Sequence, residues 1–424
     1  MSVLAGLSSS IEKGRKAFYS REECEFSRIL KSNKKECQNL LGAGDSRDFM
    51  KYLLREGYNN KFKAIYIDPP FFSKVKYNTS FAIADNKGKS HRIQMEAYDD
   101  RWNNSIDSYL EYITSMVYGI YDLLADDGVV MLHIDWHATH YCRLILDEVF
   151  GRNNFVNEIV WTYKSGGAGK KSFARKHDNI LIYSKSSNYT YNPSKVKSYN
   201  RDYKKYSFKG VKEYEDEKGW YTLVNERDVW FMDMVGRTSK ERTGYATQKP
   251  MALIEKLVKA FTNEGDLVGD FCAGSGTVAK VCEQIHRKWV CADVNNSAIS
   301  LIIKSLSNLK SDFTLYAKEK DFFSQVPFVE YRNGDFYGTF QEEQLKVLRK
   351  ILSKNSLENI FKVGKTGAKN LVNFISIDLN YDGKMHNSDI LVEGRDVNLV
   401  DVSEKGKTHV IYGDVFGNFI ELEE

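Results

Sequence analysis

Residues 267–293 constrain the fold most tightly. Leu267-Val268-Gly269-Asp270-Phe271 reads as a short strand. It runs into the glycine turn Cys272-Ala273-Gly274-Ser275-Gly276-Thr277, and helical spacing follows over 278–285. Trp289-Val290-Cys291-Ala292-Asp293 is the next strand, and it ends in an acid. Asp293 lies roughly 20 residues beyond the first glycine, the distance at which an acid meets ribose hydroxyls in a nucleotide-binding half-fold. The glycines let the backbone approach a ligand closely. No third glycine and no phosphate-loop lysine follow, so a nucleoside without a pyrophosphate fits better than a dinucleotide. A tight turn that binds nothing gives the same pattern.

A second stretch, Ala64-Ile65-Tyr66-Ile67-Asp68-Pro69-Pro70-Phe71, pairs a buried strand with an unusual end. The first proline keeps Asp68 out of the α region, so the strand runs extended into a carboxylate. Neither proline has an N–H and each fixes its own φ. Asp68 and the neighbouring carbonyls therefore form a stiff set of acceptors, and Phe71 offers a flat face beside them. The exocyclic amine of a nucleobase suits that geometry. Its lone pair is delocalised into the ring, and two acceptors holding its N–H groups would pull the nitrogen towards a tetrahedral, nucleophilic form. A plain strand-ending turn remains the alternative reading of the tripeptide.

The remaining chain alternates strand and helix patterns. Strands are predicted at 40–45, 129–134, 155–163 and 179–183, and helices at 48–55, 109–124, 143–150 and 251–261. That alternation argues for an open α/β sheet. Residues 72–104 are polar and rich in lysine, and they read as a long loop, either one that closes on a substrate or a surface insertion. His133, Asp135 and His137 share one strand face, but no second ligand cluster follows and no metal is expected. Lys164 to Ser172 looks like a phosphate loop yet lacks its spacing, and reads as a flexible basic loop. Residues 185–243 interleave lysine with tyrosine, which suits phosphates and base stacking, or simply a solvated insertion. Residues 1–38 show no clean periodicity. Beyond 318 the chain reads as one helix and then strands, with turns at Asp382-Gly383, Lys405-Gly406 and Phe416-Gly417-Asn418.

Composition sets the limits. With 424 residues, 42% hydrophobic and 28% charged, the chain has the makings of a multidomain globular protein. Net charge is only +4, so any nucleic-acid footprint is local. The six cysteines form no C-x-x-C pair, which fits reduced thiols in a cytoplasmic protein. No apolar run approaches 18 residues, and no membrane span is expected.

Four stretches together resemble a known family: Asp68-Pro69-Pro70-Phe71; Thr247-Gln248-Lys249-Pro250; Asp270 to Thr277; and Cys291-Ala292-Asp293-Val294-Asn295. In this order they resemble site-specific DNA methyltransferases acting on exocyclic amines, of the permuted class with the catalytic motif before the cofactor motif. Weaker similarity touches Gly44-Asp45, 98–102 and 133–135. The resemblance implies a Rossmann-like α/β sheet over 39–317, a target-recognition insertion at 185–243, an N-terminal extension over 1–38 and a C-terminal β-rich domain over 318–424. It implies S-adenosylmethionine as cofactor, seated over Asp270, Phe271, Cys272, Ala273, Gly274, Ser275, Gly276 and Thr277. Asp293 would hold the ribose, Lys249 the methionine carboxylate, and Asp45 the adenine. Asp68, Pro69, Pro70 and Phe71 would be catalytic, gripping and stacking a base swung out of double-stranded DNA. The acid in the motif favours adenine N6. Cytosine N4, and a non-catalytic nucleic-acid-binding protein on the same fold, stand as alternatives. A homodimer and a cognate restriction endonuclease are the further partners such a role admits, in a prokaryotic or phage setting.

Overall fold

The computed structural model describes residues 3–33, 37–85, 87–167, 171–236, 238–318, 322–324, 328–332, 335–339, 342–366, 368–394, 396 and 407–423. One sheet organises it. Its strands run in the order Ser27–Lys31, Thr314–Ala317, Leu40–Ala43, Lys288–Asp293, Leu267–Asp270, Phe62–Ile67, Leu124–Ile134, His177–Ser184, Phe155–Thr162 and Val229–Phe231. From Thr314–Ala317 to Leu124–Ile134 every pairing is parallel. Parallel strands are covered on both faces, so their side chains are apolar throughout. Ala64, Met131, Val268 and Cys291 go to one core, and Ile65, Val130 and Val290 to the other. Helices Met251–Phe261, Thr277–Gln284 and Asn296–Leu309 cover the first face, and Ser46–Arg55, Ile106–Leu123 and Thr139–Phe150 the second. This is the Rossmann-like sheet the motifs implied.

Three segments depart from the sequence reading. Residues 1–38, expected as an N-terminal extension without clean periodicity, carry a helix and a strand of the main sheet. Helix Val3–Tyr19 packs on Ile106–Leu123, and strand Ser27–Lys31 closes the sheet edge against Thr314–Ala317. The helices approach closely because a Cβ at Gly14 would lie 2.6 Å from the Glu111 carbonyl oxygen. Residues 72–104 are not a loop. Strands Lys76–Ala84 and Ser90–Asp99 form a hairpin. His91, Ile93, Met95 and Ala97 alternate to its buried face, a period-2 signal that the surrounding lysines obscured. The strand predicted at 129–134 starts earlier, at Leu124, directly after the helix.

The insertion carries a small antiparallel sheet, Glu213–Asp216, Gly219–Asn225 and Lys195–Tyr199, before Val229–Phe231 returns to the main sheet beside Phe155–Thr162. Beyond 318 a four-stranded antiparallel sheet, Ile390–Glu393, Val372–Asp378, His409–Asp414 and Phe419–Glu423, packs with helices Glu342–Ile351 and Lys354–Thr366. This region has a core of its own, and Ile83, Ile93 and Met95 of the hairpin belong to it. The expected turn at Lys405-Gly406 lies outside the described residues, as do Ala168 to Lys170 of the basic loop.

Candidate active site

Strands Phe62–Ile67 and Leu267–Asp270 are parallel neighbours, with Val268 opposite Ala64 and Gly269 opposite Ile65. Both therefore end at one edge of the sheet, where open α/β folds bind ligands. Asp68 leaves the first strand and the glycine turn leaves the second. A cleft of about 570 Å³ lies between them.

The glycine turn forms one wall. Gly274 has φ +50° and Gly276 has φ +71°, the left-handed region that glycine alone visits cheaply. A Cβ at Gly274 would stand 3.0 Å from the Tyr245 ring, and one at Gly276 would stand 2.8 Å from Ile302. Gly274 thus fronts the cleft, while Gly276 starts the helix Thr277–Gln284 and packs inward. Asp293 is buried; its Oδ2 accepts from the Gly274 N–H at 2.8 Å and its Oδ1 from the Asn295 N–H at 2.8 Å. Burial nevertheless pushes its carboxyl up. One lone pair on each oxygen stays available to a hydroxyl.

Asp270, Cys272, Ala273, Ser275 and Thr277 line the same wall. The Asp270 carboxylate accepts from the Cys272 N–H, and burial holds its carboxyl well above the usual range. Phe271 borders the cleft as well, with its ring buried against Phe62. Asp45 lines the cleft and caps helix Ser46–Arg55 through the Arg47 N–H. Burial works against its charge, but Arg47 and Arg21 hold its carboxyl below the ordinary value.

Asp68 forms the other wall with Pro70; Pro69 is buried behind them. Lys249 comes from the segment before helix Met251–Phe261. Its Nζ donates to both Asp68 oxygens, at 2.7 and 2.6 Å. The lysine expected at a cofactor carboxylate thus sits on Asp68. The same ammonium lies 5.1 Å from the centre of the Phe71 ring. Phe71 stacks on His133 with centroids 5.9 Å apart.

Residues that motif reasoning did not assign complete the site. Tyr66, Tyr98, Tyr112 and Tyr245 line the cleft. Tyr66 and Tyr98 stand inside stretches the sequence singled out, while nothing in the sequence marked Tyr112 or Tyr245. Burial, and next the Asp68 charge, push the Tyr66 phenol well up. His133 accepts or donates at 2.8 Å to the Tyr66 hydroxyl and at 3.1 Å to Asp178, which also takes the Tyr163 hydroxyl at 2.9 Å. His133 therefore belongs to a buried network under Phe71, whereas Asp135 pairs with His137. Among the described residues no three His, Cys, Asp or Glu side chains converge as a metal site.

Residues 62–304 match the model of a family described as DNA methylase. The chain is 27% identical over 249 residues to the type II methyltransferase M.HpaI of Haemophilus parainfluenzae, covering 59% of this chain and 69% of that protein. It is 28% identical over 312 residues to the type II methyltransferase M.EcaI of Enterobacter cloacae, covering 59% and 66%. A solved M1.HpyAVI–SAM complex aligns over 63% of this chain and 99% of that one, with 16% identity and a TM-score of 0.40.

Proposed function

This chain belongs to the DNA methylase family, and we propose that it transfers a methyl group from S-adenosylmethionine to the N6 amine of adenine in double-stranded DNA. The observation that carries the reading is the shared cleft: Asp68 and the Gly274–Asp293 turn emerge from neighbouring strands and face one space. The residues present fit the cofactor. Asp293 keeps acceptor capacity for ribose hydroxyls, the Gly274 backbone is bare, and tyrosines flank it. When bound, S-adenosylmethionine supplies an electrophilic sulfonium methyl.

The chain's own residues do the rest. Lys249 would hold the methionine carboxylate, and in moving there it releases both Asp68 oxygens. Asp68 and the Pro69 carbonyl then accept the two N–H groups of the flipped base, and Phe71, backed by His133, stacks on its ring. So held, the nitrogen lone pair would face the methyl carbon that bound S-adenosylmethionine would supply, and the carbon–sulfur bond would be the one to break. Nitrogen becomes cationic and acidic at that point, so its proton passes to water without a strong base.

The region 185–243 supplies a DNA-facing surface. Tyr203 and Phe208 are exposed, and Lys205 lies 4.7 Å above the Trp220 ring. Such a surface suits backbone contact and base reading in the major groove. The carboxylate favours adenine N6 over cytosine N4. The role implies a cytoplasmic setting, since modified DNA is its product, and a cognate endonuclease or a second copy of the chain as partners. Among the described residues no helix is long and apolar enough to cross a membrane.

Incubation with duplex DNA and labelled S-adenosylmethionine, followed by nucleoside digestion and mass spectrometry, tests the reading. N6-methyladenine from the wild type and none from Asp68→Ala is expected. N4-methylcytosine would overturn the base assignment, and no labelled nucleoside at all would overturn the activity.

A further inference from the structure

We infer that Asp100 is the positioning residue for the base-binding loop, a role resting on the methyl-transfer reading of the cleft. Asp100 is fully buried at the end of the hairpin, after strand Ser90–Asp99. Its Oδ2 accepts from the Phe71 N–H at 3.1 Å, the Ser73 N–H at 2.7 Å and the Ser73 hydroxyl at 2.6 Å. Its Oδ1 accepts from the Phe72 N–H at 3.0 Å and the Trp102 indole N–H at 2.9 Å. Three consecutive backbone N–H groups thus converge on one carboxylate, an anion nest built in reverse, with the protein supplying the anion. The first of them belongs to Phe71, the stacking residue directly after Pro70.

The nest compensates a strained path. Phe72 has φ +62° and Lys74 has φ +63°, a left-handed region that a residue with a Cβ seldom adopts. Charge-assisted bonds to a buried carboxylate hold that path where an uncharged amide could not. An Asn at 100 would keep one acceptor oxygen and turn an NH2 group towards donors. The loop backbone also bonds back, from Lys74 N–H to the Asp100 carbonyl at 3.1 Å. Asp100 does not line the cleft, and it reaches neither the glycine turn nor Asp293. Its effect should therefore appear on base capture and chemistry and leave the cofactor untouched.

The test compares wild type with Asp100→Asn and with Trp102→Phe, which removes one donor to the same carboxylate. Three readouts are taken together: single-turnover methyl transfer to duplex DNA, cofactor affinity by calorimetry, and thermal midpoint. Asp100→Asn is expected to slow transfer on the order of 100-fold, the cost of displacing a reacting group by about 1 Å. Cofactor Kd should stay within about twofold. Trp102→Phe should slow transfer by a smaller factor, again at constant Kd. Wild-type turnover in either variant overturns the inference, as does a parallel loss of cofactor affinity and thermal midpoint, which marks a merely structural role. If Asp100→Asn does not fold, Trp102→Phe decides alone. Absence of transfer by the wild type would instead refute the activity itself, so the two failures are distinguishable.

Discussion

Replacing Asp68 with alanine should tighten binding of S-adenosylmethionine while abolishing methyl transfer. The reasoning starts from the ion pair. Lys249 Nζ sits 2.7 and 2.6 Å from the two Asp68 oxygens, with side chains only 9% and 17% exposed. Solvent-exposed pairs contribute at most about 1 kcal/mol, and charge-assisted hydrogen bonds shielded from water about 1.5–3 kcal/mol. A part-buried pair falls near the junction, at about 1.5 kcal/mol. On the proposed role Lys249 would have to leave Asp68 to reach the cofactor carboxylate, so this energy would be subtracted from every binding event in the wild type. Asp68→Ala removes the competitor and leaves a buried ammonium without a counter-charge, which a carboxylate-bearing ligand relieves. Affinity should rise about tenfold. Asp68→Asn keeps one weaker acceptor for Lys249 and should lie between the two. Calorimetric Kd values for the three proteins at one pH and ionic strength provide the measurement. Because the pair is largely sheltered, the ranking should survive added salt. An unchanged or weakened Kd in Asp68→Ala would refute the exchange of Lys249 between the two carboxylates.

Two further outcomes follow from other parts of the molecule. Gly274→Ala puts a Cβ 3.0 Å from the Tyr245 ring at a φ of +50°, so cofactor affinity should drop at least tenfold; retention of wild-type Kd would show that this turn is not the donor seat. Lys280 is buried on helix Thr277–Gln284, and desolvation pulls its ammonium down to about 8. The unfolded chain, with lysine near its ordinary value of 10.5, binds more protons between pH 8 and 10.5, so this residue's contribution makes stability climb through that window. Lys280→Met should then stabilise the protein at pH 7, by up to about 3 kcal/mol, and flatten the climb. Urea unfolding at pH 7 and pH 10 checks both signs, and a destabilised variant at pH 7 would contradict the desolvation argument.

Where side chains repeat on a regular period, the sequence was easy to read. The parallel strands announce themselves as short apolar runs, and the Met251–Phe261 helix matches its predicted bounds. The two strand-end motifs met in one cleft because adjacent parallel strands must finish together. What escaped was set by distant packing. The hairpin hides its alternation among lysines, and its apolar face meets residues beyond 318, far off in the chain. Helix Val3–Tyr19 gains its partner through Gly14 and Gly119, whose role is invisible without the helix they touch. Asp100 looked like one more acid in a polar stretch, since nothing local reveals that five donors converge on it. Lys249 was expected at the cofactor, and its ion pair with Asp68 is a spatial fact about a contact spanning 181 positions.

The two seats of the reaction hang from neighbouring rungs of one hydrogen-bonded ladder. Adjacent strands keep a spacing of roughly 4.8 Å whatever their side chains are. On the proposed role, the gap a methyl group would cross is set in the first place by backbone pairing between Phe62–Ile67 and Leu267–Asp270. Surface segments around it can lengthen or shorten while that ruler stays fixed.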